Sequence, residues 1–358
     1  MVLQKQSATR KKHPKHWLPI EEIREKMKFE ILPFTENMIP EAGRLLAERH
    51  KRNRLMLPLL PARFEDPLVA AKAVELLWRR KVTNGYAAFR NGKIVAYLIG
   101  ECTTQFWARC GYIYLHGNAL AADESPSILQ DLYSRAGDEW NKQGYFNHYI
   151  YLSAADSEII DAWFSLGFGR ERVDVSMDLT RLAIPTPKRK LDFEIRRAEQ
   201  KDRDSLSDLS GTIAIHQSRA PRWHPVLRED LTDLQEGWAE LVDEPDWDVW
   251  LAVQDGQTVG SLGFHPIAES DEDMVVPPNS TSFTVAAVKD SFRGQGIMTG
   301  LVWHGLEHAK KAGVEICTTD WQTANLLAAR TWERLGFTPS AYRLARTINP
   351  MIAWANYE

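Results

Sequence analysis

Cysteine is scarce in this chain: Cys102, Cys110 and Cys317 are odd in number, scattered, and without C-x2-C metal spacing. That excludes a disulfide framework and a cysteine metal site, fits a reducing compartment, and leaves all three as packing residues. No apolar run reaches the ~18 residues that span a bilayer, and the N-terminus lacks the apolar core of a signal peptide. The expectation is a soluble, cytoplasmic protein with no membrane partner. Charge of one sign is also missing: 44 Lys plus Arg stand against 48 Asp plus Glu. No bulk attraction to nucleic acid follows. A small-molecule or peptide partner is therefore expected, with monomer and dimer both open and no metal. Only residues 4–16, basic and with no Val, Leu, Ile or Met, break the balance, and they read as a solvated tail within residues 1–25.

The 358 residues exceed what one core organises, and 44% hydrophobic content supports two. The chain is written twice. Phe29-Glu30-Ile31 and Phe193-Glu194-Ile195 each open a short strand before a helical stretch. Asn91-Gly92 and Asp255-Gly256 each sit between alternating apolar runs, the signal of a type I′ hairpin. Trp163-x-x-Leu-Gly-Phe168 and Trp332-x-x-Leu-Gly-Phe337 each close a helix on a glycine C-cap. The Pro-rich, basic stretch Ala183–Lys190 reads as the linker. The predicted domains are 26–182 and 192–358, joined by 183–191. Each reads β-α-(α)-β-β-β-α-β-α-β, an α+β fold with a partly antiparallel sheet carrying helices.

Chemistry concentrates in residues 282–313. Phe283–Val288 suits a buried strand, and Met298, Leu301, Val302, Gly305, Leu306 and Ala309 keep helical spacing. Arg293-Gly294-Gln295-Gly296 lies at the junction, where unpaired helix N–H groups and the helix dipole favour an anion and glycine permits close approach. The segment is neither a P-loop nor a dinucleotide fingerprint, since no Gly-Lys-Ser/Thr and no third glycine follow. It suits a pyrophosphate.

Here the sequence resembles the GNAT superfamily of acetyl-CoA-dependent N-acyltransferases. Val288, Arg293 and Gly296 fit V-x-x-x-x-Q/R-x-x-G-x-G/A, with Met298 departing at its last position. Asn325, Ala328, Gly336 and Phe337 fit a second motif, N-x-x-A-x-x-x-Y-x-x-x-G-F. The resemblance covers 193–347, and 29–181 more weakly, implying two tandem GNAT-like domains. It implies that Ala286 and Val288 hold the pantetheine of acetyl-CoA, that Arg293, Gly294, Gln295, Gly296, Ile297, Met298 and Thr299 bind the pyrophosphate, and that Asn325 and Trp332 contact the cofactor. Trp332 stands where the family often has an acidic Tyr. Its spacing and its counterpart Trp163 also suit core packing.

Candidates for proton transfer are Asp320 at a strand end, His265 at the end of the hairpin, and Tyr342 as a replacement acid. Arg222, Trp223 and His224, in the segment His216–Pro225 that also holds Arg219, together with Trp321, are candidate acceptor contacts. Asp271–Asp273 read as a solvated loop. In the first half the cradle is replaced by Asp123, Glu124, Ser125, Pro126 and Ile128, which repel phosphate and remove a donor, so one cofactor per chain is expected. The implied activity is acetyl transfer from acetyl-CoA to a primary amine. The alternatives are a non-catalytic acyl-CoA sensor or scaffold and, through the basic tail, a nucleic-acid-associated acetyltransferase.

Overall fold

The computed structural model describes residues 29–105, 108–184 and 192–355; the predicted tail and most of the predicted linker lie outside them. The first half runs β1 (Glu30–Pro33), α1 (Ile39–Met56), α2 (Pro67–Trp78), β2 (Thr83–Arg90), β3 (Lys93–Gln105), β4 (Ala108–Ile113), β5 (Asn118–Leu120), α3 (Ser127–Lys142), β6 (Asn147–Ser153), α4 (Ser157–Ser165) and β7 (Gly169–Asp178). The second repeats the order without the short fifth strand. It runs β8 (Glu194–Arg197), α5 (Arg203–Ser218), α6 (Arg228–Glu240), β9 (Asp248–Gln254), β10 (Gln257–Pro266), β11 (Ser280–Val288), α7 (Ile297–Lys311), β12 (Ile316–Gln322), α8 (Leu326–Leu335) and β13 (Thr338–Thr347). Both Asx-Gly turns have positive φ at their two central residues, as type I′ hairpins need. Gly167 and Gly336 terminate α4 and α8 in the left-handed region.

All strands join one sheet in the order β1-β2-β3-β4-β6-β13-β7-β12-β11-β10-β9-β8, with β5 on β3. Pairing is antiparallel except for β4 with β6 and β11 with β12. The order contains a reciprocal exchange: β13 lies between β6 and β7, while β7 lies between β12 and β13. The alternation of β7 explains its grip on the other half. Val173, Val175 and Met177 join the core under α7 and α8 with Phe283 and Trp332, while Arg172 and Asp174 take the opposite face. In return, Leu344 of β13 is buried in the first half's core with Ile150, Leu152 and Trp163.

Neither half should fold alone. Burial of Val173, Val175 and Met177 contributes about 2 kcal/mol each, together comparable with the whole stability of a small domain. We expect residues 192–358 expressed alone to be aggregated or molten by near-UV circular dichroism, and to regain a cooperative transition on co-expression with residues 1–184. A cooperatively folded isolated half would contradict the exchange.

No helix among the described residues is long and apolar enough to cross a membrane. Two core histidines set an acid limit to stability. His50, bonded to the Pro61 carbonyl, and His148, bonded to the Tyr145 carbonyl, are both pushed down to about 4 by burial. The unfolded chain then binds more protons between about pH 6.5 and 4, so stability falls as pH drops through that window. At about 1.4 kcal/mol per unit, each contributes roughly 3 kcal/mol of acid destabilisation. Urea midpoints measured from pH 7 to pH 4 should fall steeply, and less so in His148→Gln.

Candidate functional site

The parallel pair at the centre of the second half is short. Ser280, Thr281 and Ser282 of β11 pair with Ile316, Cys317 and Thr318 of β12, and the strands then diverge. The fork is pinned by Thr319 Oγ1, which donates to the Phe283 carbonyl at 3.3 Å. Just beyond it β11 carries a bulge against β10, with Val285 at φ +49° and its carbonyl held by Ser261 Oγ at 3.0 Å. A bulge re-aims the backbone at such a place. Gly263 opposite admits this, since a Cβ there would lie 2.7 Å from a Val285 methyl. The result is a V-shaped opening edged by β11 backbone from Val285 to Val288.

At its wide end the chain turns into α7. Gly294 and Gly296 have φ of +78° and +84°, and the space a Cβ would take at either is open. Gly296 caps α7 without a side-chain hydrogen bond, which leaves the first N–H groups of the helix pointing out of the loop. Arg293 is held by its Nε on the Val288 carbonyl and its guanidinium on Asp290, to which Arg219 also pairs. This open, donor-lined cradle beside a split strand pair fits an extended pantetheine chain ending in a pyrophosphate.

Asn325 caps α8 by accepting from the Ala328 N–H, and His216 of α5 shares the same oxygen at 3.1 Å. Trp332, by contrast, is a core residue, 5% exposed and edge-on to Phe283 at 4.9 Å. Trp321 is buried in the same core, on the face of β12 opposite Asp320. Tyr342 lies away from the fork, packed beside both cores under the Arg170 guanidinium, 3.8 Å over its ring.

On the other face of the sheet a cavity of about 530 Å³ spans β4, β6, β7 and β12, with the β10–β11 loop over it. Asp320 is two residues past the last β11–β12 pair and lines this cavity, 44% exposed into it and 3.2 Å from Arg172, which also binds Asp174 at 2.8 Å. Its enclosure by protein raises its carboxyl above the usual range, against the pull of Arg172. His265 lines the same cavity, stacked on Trp247 at 4.5 Å. Arg222 is half-buried within the field of the Glu171 and Asp320 carboxylates, its Nε and Nη1 without partners. Trp223 is 71% exposed, and burial beside Arg222 lowers the pKa of His224. No cluster of three or more metal-ligating side chains exists among the described residues.

Sequence reasoning expected the first half to supply a wall of the acceptor pocket or an interface, but named none of the residues that line the cavity. Tyr112, Tyr114, Tyr151, Arg172 and Asp174 all belong to the first half and line the cavity. The Asp271–Asp273 stretch is no solvated loop either. Glu272 pairs with Arg80 at 2.6 Å, and Met274 and Val275 behind it are buried in the first half's core. The signal was present as Met274-Val275-Val276, an apolar run that no exposed loop needs.

In the first half the place of the fork is filled. Asp156, at the head of α4 as Asn325 is of α8, receives Arg49 at 2.5 Å, and Arg49 also donates to Asn118. Glu124 is bound by Arg90, and Pro126 stands before α3 with no N–H. Calorimetric titration with coenzyme A should therefore give one site per chain. Arg49→Ala should lower stability by roughly 3–5 kcal/mol, because it leaves a buried carboxylate unpaired, without opening a second site.

Residues 212–337, within the second half, match the sequence model of the acetyltransferase (GNAT) family. Among solved structures, a GCN5-related N-acetyltransferase from Sphaerobacter thermophilus is 16% identical with a TM-score of 0.56, covering 90% of this chain and 96% of that one. The GCN5-related glucosamine N-acetyltransferase region of a fungal multi-domain GH3 β-N-acetylglucosaminidase is 18% identical with a TM-score of 0.52, over 89% of this chain. The match spans only 38% of that longer protein. At such identities the likeness is one of fold. No curated protein sequence matches the chain.

Proposed function

We propose that this protein is an N-acetyltransferase that moves the acetyl group of acetyl-CoA to an amine of a small molecule or peptide. On this reading residues 192–358 hold the cofactor and residues 26–182 build much of the acceptor wall. The observation that carries it is Asp320, the first cavity-facing carboxylate beyond the β11–β12 fork. The cofactor side and the acceptor side of the sheet would communicate there.

Bound acetyl-CoA would supply an acyl carbon activated as a thioester. The β11 backbone at Val285–Val288 would align the pantetheine arm, and residues 293–299 would take the phosphates. Asp320, with its raised pKa, is suited to accept a proton from an incoming ammonium and free the nucleophilic lone pair. In the balanced reaction a C–N bond replaces the C–S bond; of the two protons the ammonium loses, one passes through Asp320 to solvent and the other ends on the departing sulfur. With Tyr342 on the far face and Trp332 in the core, no side chain is assigned to protonate that sulfur, and a thiolate is a competent leaving group unaided. The same lack is what favours the second reading, a non-catalytic acyl-CoA sensor. Mass spectrometry of a mixed amine panel after incubation with acetyl-CoA separates them. Acetylated acceptor in amounts equal to the free thiol supports transfer; binding without any acetylated product supports the sensor.

A further inference from the structure

Asp320 stands among balanced charges. Arg172, Arg222 and Arg343 surround it together with the carboxylates Asp174 and Glu171. The arginines differ in what they hold. Arg343 of β13 is closed on Glu171 by two hydrogen bonds, of 2.5 and 3.1 Å. A bulge in β7 makes this possible, because Glu171 has no opposite residue on β13 and is turned toward Arg343. Arg222 lies near with Nε and Nη1 unpartnered. Arg172 is the one that reaches Asp320, its Nη2 3.2 Å from Oδ1.

The strand register explains why an arginine is needed there. β7 and β12 are antiparallel, with Asp174 directly opposite Asp320. Two carboxylates so paired on one face repel each other. Arg172 precedes Asp174 by two residues and so shares its face. The same Nη2 that meets Asp320 is 2.8 Å from Oδ1 of Asp174, so one nitrogen bridges the two acids. A cation held by Asp320 alone would be released whenever that carboxylate took up a proton. Asp174 removes the difficulty, since it keeps its charge and its arginine through that step.

We infer that Arg172, contributed by the first half, is the positioning residue of the Asp320 base: its Nη2 fixes Oδ1 and leaves Oδ2 to the incoming amine, while Asp174 anchors the guanidinium. The inference rests on the acyl-transfer reading for the proton that Asp320 accepts; the hold of Arg172 on Asp320 rests on geometry alone. It also gives the strand exchange a consequence for chemistry, because the base on β12 and its positioner on β7 come from different halves.

The signs of the pH effects follow. Enclosure raises the Asp320 carboxyl, Arg172 lowers it, Asp174 raises it, and Arg343 and Glu171 act as a weaker opposed pair. His265 of β10, Tyr151 of β6, and Glu272 and Asp273 of the β10–β11 loop face the same cavity and are left unchanged in the test. Loss of Arg172 should therefore move the Asp320 titration to higher pH, and loss of Asp174 should move it to lower pH. A general loss of structure would not move it in opposite directions.

The test uses the full chain with aspartate isotope-labelled at its carboxyl carbon, following by nuclear magnetic resonance the signal that is missing from Asp320→Asn. Beside it, kcat/KM is measured against pH with acetyl-CoA and the acceptor probes benzylamine, n-butylamine and diglycine. In Arg172→Gln both the signal's midpoint and the acid limb should rise by about one pH unit, with kcat on the alkaline plateau about tenfold lower and coenzyme A affinity unchanged. Arg172→Lys keeps a single cationic nitrogen and should return the limb to within about half a unit of the parent. Asp174→Asn leaves Arg172 on Asp320, so it should keep a melting temperature near the parent's and lower both midpoints by about half a unit. An Asp320 titration unmoved in Arg172→Gln and Asp174→Asn overturns the role of Arg172, whether or not any amine is acetylated. A shifted signal beside an unmoved limb removes Asp320 as the base and the positioning role with it. Shifted signals with no acetylated product from any amine leave the hold of Arg172 standing and overturn acyl transfer.

Discussion

Gly296→Asp is expected to lower coenzyme A affinity by about 10²–10³-fold while the protein stays folded. Gly296 caps α7 at φ +84° with no neighbour in the way of a side chain, so the substitution removes no space and meets no clash. Holding an L-residue in the left-handed region costs about 1 kcal/mol, and aspartate at a helix N-cap returns a similar amount through the unpaired N–H groups. The net change in stability should therefore be small. The effect on ligand is not. A carboxylate placed where a pyrophosphate must approach adds like-charge repulsion of about 4 kcal/mol per close pair at an effective dielectric of 20, and it also occupies the N–H groups the phosphates would use. Calorimetry should show the affinity lost with the melting temperature within a few degrees of the parent. Unchanged affinity would place the cofactor elsewhere.

Asp320→Asn should reduce kcat by about 10²–10⁴-fold, the range for removal of a general base, with coenzyme A affinity unchanged. In the parent, kcat/KM should rise with pH as the Asp320 carboxyl loses its proton. Since burial raises that carboxyl, the acid limb should fall above the range of an ordinary carboxylate, and the variant should lack it. Stability moves the opposite way. A carboxyl whose pKa is raised in the folded state binds its proton more tightly there, so it destabilises the fold as pH climbs from the unfolded pKa through the folded one. Asparagine should then leave the melting temperature at neutral pH equal or higher. A variant that keeps its rate and its acid limb would remove Asp320 from the proposal.

Most of the α+β fold was legible because local rules decided it. Asn91-Gly92 and Asp255-Gly256 demanded left-handed residues at both turn centres, Gly336 demanded a left-handed cap, and the cradle announced itself by two glycines before an apolar helix. The exchange of β7 and β13 was not legible. Val173, Val175 and Met177 alternate as any half-buried strand does, and nothing in that alternation says whose helices cover it. Periodicity reports a face, not a partner. The residues that line the cavity escaped for the same reason. Tyr112, Arg172 and Glu272 are distant in the chain, and a lone tyrosine or arginine carries no signal until the exchanged strands bring these residues to one concave surface. Trp321 failed as an acceptor contact by a single residue, because in a strand the neighbour of Asp320 must face the other way.

The proposed function requires that the fork of β11 and β12 hand an acyl group to an amine at Asp320. The most direct measurement is the initial rate of thiol release from acetyl-CoA by the parent chain, with and without an amine acceptor, run beside Gly296→Asp and Asp320→Asn. Under that function, release depends on the acceptor, vanishes in the first variant through binding and collapses in the second through kcat. Acceptor-independent release, or tight coenzyme A binding with no release across the amine panel, would contradict it.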